Sequence, residues 1–142
     1  MPTYIRHREQ AEHNKALLTF FVRQNAEERF SDWYVTVAFY AALHCFEAML
    51  FARKPVVPAG GAAVEHSGDL RDAYGTYSEH RLRSLVMCSD FQQIYTPYSL
   101  LYRMSRTARY NCHTPSKHDW KRAERLLDEV KTKCEALAGN KK

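Results

Sequence analysis

Ser31-Asp-Trp-Tyr-Val-Thr-Val-Ala-Phe-Tyr-Ala-Ala-Leu-His-Cys-Phe-Glu-Ala-Met-Leu-Phe51 is the stretch on which the fold turns. Ser31 or Asp32 offers a side-chain acceptor for the free N–H groups of a helix start. Beyond them the segment is apolar nearly all the way round. Trp33, Val37, Tyr40, Ala41, Ala48 and Phe51 fall on one side, and Phe39, Leu43, Phe46 and Leu50 on another. Such a helix belongs at the centre of a bundle or in a membrane. His44 and Glu47 sit at its middle, where hydrocarbon penalises them, and no polybasic segment flanks it. The reading is a buried central helix whose two polar groups must find partners on neighbouring helices or shift their ionisation.

The other helices follow outward from this one. Thr3 to Asn25 reads as a first helix, with Ala11, Leu18 and Phe21 on a core-facing stripe shared by His7 and Asn14, polar counterparts for His44. The short Asn25–Arg29 connection makes it antiparallel to the central helix. Residues 54–77 carry four of the five glycines and two of the five prolines, so they read as a long loop, mostly mobile, holding His66 and Arg71. Thr76 or Ser78 caps the next helix. Ser89-Asp90-Phe91-Gln92 resembles a capping box that restarts the chain, and Thr96-Pro97 marks a further start. Leu100, Leu101, Met104 and Ala108 then point inward. Thr114-Pro115 opens a last helix with the seam Trp120, Ala123, Leu127, Val130, Cys134 and Leu137. No strand pattern or repeat appears. The expectation is one all-α domain over 1–142, an antiparallel bundle of four long helices with short connectors.

Composition narrows the function classes. Residues 1–100 hold ten Lys/Arg and eleven Asp/Glu, residues 101–142 eleven and five, so the net charge of +5 comes from the last third. A polyanion such as RNA is attracted to such a surface, although a solvated helix face gives the same count. Met1 to Gln10 is charged and shows no signal-peptide pattern, so a cytoplasmic protein is expected, with no membrane contact. The cysteines form no Cys-x-x-Cys pair. Cys45, Cys88 and Cys134 read as small buried hydrophobes, and Cys112, His113 and His118 match no standard zinc spacing, so neither metal nor cofactor is expected.

The richest chemistry lies in Tyr102-Arg-Met-Ser-Arg106-Thr-Ala-Arg109-Tyr-Asn-Cys-His113. Arginine presents a fork of donors to phosphate oxygens, and histidine moves protons near neutral pH. Spacings of four, three and four put Tyr102, Arg106, Arg109 and His113 on one stripe if the helix continues. If it ends near Asn111, His113 folds back toward Arg106. Such a pair could cleave a phosphodiester without metal. His113 would take the 2′-hydroxyl proton and Arg106 would stabilise the phosphorane. The competing reading is a basic helix end whose arginines pair with carboxylates. A second group, His44, His80 and Arg83, reads as a buried polar network that fixes helix register.

The combination of Ala11-Glu-His-Asn14 with Leu17-Leu18, Asp32-Trp33 with Phe39-Tyr-Ala-Ala-Leu-His44, His80-x-x-Arg83 and Ser105-Arg-Thr-Ala-Arg109-Tyr110 resembles the HEPN superfamily over nearly the whole chain. The resemblance implies a bundle of four or five helices that commonly dimerises. It also implies a metal-independent endoribonuclease of defence or toxin–antitoxin systems, cutting RNA at a dimer cleft. Arg106 and His113, separated by six residues, would be the catalytic pair, with Tyr102, Arg109 and Tyr110 binding substrate. Thr107 stands where the family usually has another polar residue after the arginine. The alternative it implies is a non-catalytic module that binds RNA, a nucleotide, or a partner protein such as an antitoxin or nucleotidyltransferase.

Overall fold

A computed structural model describes residues 2–55 and 63–139. Six α-helices account for most of them: α1 (Tyr4–Arg23), α2 (Ser31–Arg53), the four-residue α3 (Arg71–Tyr74), α4 (Glu79–Asp90), α5 (Gln92–Tyr110) and α6 (Lys117–Ala138). A 3-10 turn, Ser67–Leu70, leads into α3. No strand occurs among the described residues, so the chain is an all-α bundle.

α2 is the central helix, packed against α1, α5 and α6, with α4 lying along α5. Its length and apolarity would suffice to cross a bilayer, and here they are met by burial in the bundle. Val35, Ala38, Phe39, Ala42, Phe46 and Leu50 are wholly inaccessible. They meet Leu82, Val86, Ile94, Leu101 and Val130 from the other helices. The burial is not uniform round the helix as the sequence suggested. Trp33 is 58% exposed and Tyr40 38% exposed, and with Val37 and His44 they form an open stripe at spacings of four, three and four.

Several helix starts differ from expectation, each for a local reason. Phe30, not Ser31 or Asp32, precedes α2, because Ser31 is buried and donates its hydroxyl to the Pro115 carbonyl at 2.7 Å. α4 is capped by Ser78 as its sequence indicates. α5 begins after Phe91 with no side-chain cap, since the Ser89 hydroxyl turns back to the Val86 carbonyl and to Asp90. Pro97 opens no helix and lies inside α5. A proline there leaves the carbonyl four residues earlier without its helical donor. That carbonyl, on Gln93, accepts the Lys133 ammonium of α6 at 2.9 Å. The last helix starts from Ser116, not from Thr114-Pro115, through a capping box with Asp119.

The loop between α2 and α4 is the largest departure. Residues 56–62 lie outside the described residues, but 64–70 pack into the bundle, where the glycines implied an open loop. Val64, His66, Ser67 and Leu70 are buried, and Asp69 closes the turn by accepting from the backbone N–H groups of Glu65 and His66. Cys88, expected inside, is exposed, whereas Cys134 is buried and Cys45 half-buried.

Candidate functional site

The site grows out of Glu47. Its carboxylate is 3% exposed in the middle of α2, where an unpaired charge would be costly. Arg83 of α4, also buried, donates Nε–H to Oε1 at 2.6 Å. The Ser67 backbone N–H donates to Oε2 at 3.1 Å, and the Ser67 hydroxyl donates to Oε1. Burial alone would raise the Glu47 carboxyl, but Arg83 and the Ser67 donors together hold it below its ordinary value. Arg83 also reaches the half-exposed Glu79 at 3.0 Å. One ion pair and one turn thus tie α2, α4 and residues 66–70 together.

A row of three imidazoles runs beside this carboxylate. His7 Nδ1 lies 3.0 Å from His44 Nδ1, and His7 Nε2 lies 3.3 Å from His66 Nδ1. His66 Nδ1 is in turn 3.7 Å from Glu47 Oε2. Burial pushes His7 down to about 4; Glu47 opposes the shift while His44, His66 and Arg83 add to it. His44 is lowered by burial as well. The short approach of His7 Nδ1 to His44 Nδ1 suits two neutral rings that share a single proton. At the Glu47 end of the row, His66 Nε2 is buried and has no hydrogen-bond partner among the described residues.

These side chains line a cavity of about 610 Å³ whose wall also holds Tyr40, Arg71, Glu79 and His80. His80, half-buried, packs on Phe39 and on Tyr102 of α5, the latter with ring centres 4.9 Å apart. Burial and the nearby Arg83, Arg109 and Arg106 keep His80 below its ordinary value. His44, His80 and Arg83, read from the sequence as one network, share this cavity wall, but the hydrogen bonds run through His7, Glu47 and Ser67.

Along the cavity's rim lies the arginine–tyrosine strip of α5. Arg106 is exposed, donates to the Tyr102 hydroxyl at 3.3 Å and stacks on the rings of Tyr102 and Tyr110. Arg109 stacks on Tyr110 and on Tyr40, whose hydroxyl accepts from it at 3.4 Å. Among the described residues no carboxylate lies within 4.0 Å of either guanidinium, whereas Arg71 and Arg83 are both paired. Tyr110 is 64% exposed. Tyr40 belongs to both features, as a wall of the cavity and a platform for Arg109.

His113 stands apart from Arg106. α5 ends at Tyr110 and Cys112 turns into the left-handed region (φ 48°), so His113 leaves the helical stripe. It lines a separate hollow with Arg103, Met104, Thr107 and Asp119. On a 3.6-residue helix, Arg106 projects about a third of a turn away from that face.

No family model, curated protein or solved structure matches this chain.

Two site residues escaped the sequence reading. Ser67 carried no signal at all, being one serine among glycines. His66 was visible as a histidine, but nothing local showed that its loop folds back onto α2.

Proposed function

We propose that this chain binds single-stranded RNA through the arginine–tyrosine strip of α5, in the manner of a non-catalytic HEPN module. One observation carries the reading: Arg106 and Arg109 are held on tyrosine rings with no carboxylate partner among the described residues. Guanidinium groups in that state have donors free for phosphate oxygens, and the exposed Tyr110 ring offers a surface on which a base stacks, with the half-buried Tyr102 holding Arg106 in place. The adjoining cavity gives an unstacked base somewhere to go, and single strands are read by splaying bases out. Binding needs only the strip.

The endoribonuclease reading asks for more. Arg106 and His113 do not share a groove within one chain, so cleavage requires a second copy to bring His113 to Arg106 across a homodimer cleft. What favours it is that both side chains are exposed and unpaired with carboxylates among the described residues. Fluorescence anisotropy with a short unstructured RNA, followed by a gel of the same sample in EDTA, separates the two. Saturable binding that Tyr110→Ala weakens about tenfold, with the RNA intact, is expected. Cleavage that His113→Ala abolishes would replace this reading with the catalytic one. No binding by the parent protein would refute both.

A further inference from the structure

The geometry points to a divalent transition-metal site on the floor of the cavity, made by His7 of α1, Glu47 of α2 and His66 of the 3-10 turn. One donor atom from each lies within 4.8 Å of the others, and this is the one such group among the described residues. Two ligands each 2.0–2.1 Å from a tetrahedral zinc ion stand about 3.3 Å apart. His7 Nε2 and His66 Nδ1 are 3.3 Å apart, and His66 Nδ1 and Glu47 Oε2 are 3.7 Å apart. The donors are therefore already close to the spacing an ion imposes.

The acceptor count on Glu47 leaves room for the ion. A carboxylate has about four lone-pair positions. Among the described residues Oε1 accepts from Arg83 and from the Ser67 hydroxyl, whereas Oε2 accepts only the Ser67 N–H. The free position is on the oxygen that faces His66. Surrounding contacts have the form that supports metal ligands. His7 has its other ring nitrogen, Nδ1, 3.0 Å from His44 Nδ1, and with His7 donating from Nδ1 its Nε2 is free to ligate. Arg83 and Ser67 hold the carboxylate in place.

Two imidazoles and one carboxylate are borderline donors that suit Zn²⁺, Co²⁺ or Fe²⁺ better than Mg²⁺ or Ca²⁺. Three protein ligands leave a fourth position open toward the cavity, which also supplies the ion's way in. An ion there would join α1 to α2 and to residues 66–70 independently of any RNA on α5, so the two proposals fail separately.

The test uses the full chain, stripped with EDTA and dialysed. Zn²⁺ is titrated calorimetrically, and Co²⁺ is followed by its visible absorption. One saturable equivalent per chain is expected, with a Co²⁺ spectrum that lacks thiolate charge transfer. His66→Ala should abolish this binding and His44→Ala should weaken it ten- to a hundredfold. A His113→Ala/His118→Ala double variant should bind as the parent does. Should His66→Ala fail to fold, nitrogen chemical shifts of the parent's imidazoles decide, since His7 and His66 must move on adding Zn²⁺. No saturable binding, thiolate bands from Cys112, or unchanged His7 and His66 shifts would overturn the site.

Discussion

Replacing Glu47 with glutamine probes the contact that joins three parts of the bundle. The amide is isosteric, so the change removes charge and one acceptor without opening a cavity. Both carboxylate oxygens face fixed donors: Arg83 Nε–H and the Ser67 hydroxyl at Oε1, and the Ser67 backbone N–H at Oε2. Whichever way the glutamine turns, its NH₂ group meets a donor. Removing one partner of a buried ion pair costs about 3–5 kcal/mol. Arg83 keeps Glu79 at 3.0 Å, a half-exposed partner, which points to the lower end, about 3 kcal/mol. For a chain of this size that lowers Tm by roughly 10 °C. Thermal and urea unfolding followed by circular dichroism, in EDTA so that no bound ion contributes, would read it. The companion is a Glu47→Leu/Arg83→Met double variant, expected to be far less destabilised than the sum of its single changes. A fall in Tm below about 3 °C for Glu47→Gln, or strict additivity in the cycle, would refute the reasoning.

Two smaller predictions concern the periphery. Ser116→Ala removes the acceptor for the Asp119 N–H and one of the donors that hold the Asp119 carboxyl below its ordinary value. It should cost about 1 kcal/mol in urea unfolding, and a loss near zero would mean the capping box does not fix the start of α6. His80 should titrate below the ordinary histidine value of 6.5 in an NMR titration and move up toward it in an Arg106→Ala/Arg109→Ala variant. Because folded His80 resists protonation, the unfolded chain binds the extra proton, and His80's contribution to stability declines as the pH drops below 6.5. An unaltered His80 titration in that variant would show that the strip's charge does not reach the cavity.

The bundle was legible because long helices announce themselves by period. Leu18, Phe46, Leu101 and Val130 all face the core as their spacing required. His44 and Glu47 were legible as a problem, two polar groups on an apolar helix, and His7 as one answer. The rest of the answer was not. Ser67, His66 and the fold of residues 63–74 depend on contacts about twenty residues distant from Glu47, in a segment whose composition signals only a break in helix. Pro97 was misplaced for a related reason. A proline suits a first turn, and its place within α5 depends on Lys133, which is 36 residues further on and satisfies the Gln93 carbonyl. Capping motifs failed where a side chain found a tertiary partner first, as Ser31 did with Pro115.

The central claim, that Arg106 and Arg109 meet RNA phosphates, is tested most directly by the salt dependence of binding. For single strands the slope of log K against log salt changes by about 0.7 per phosphate neutralised. The Arg106→Ala/Arg109→Ala variant should therefore bind a short unstructured RNA more weakly, with a slope shallower than the parent's by about 1.4. Equal slopes for the two proteins would contradict the account.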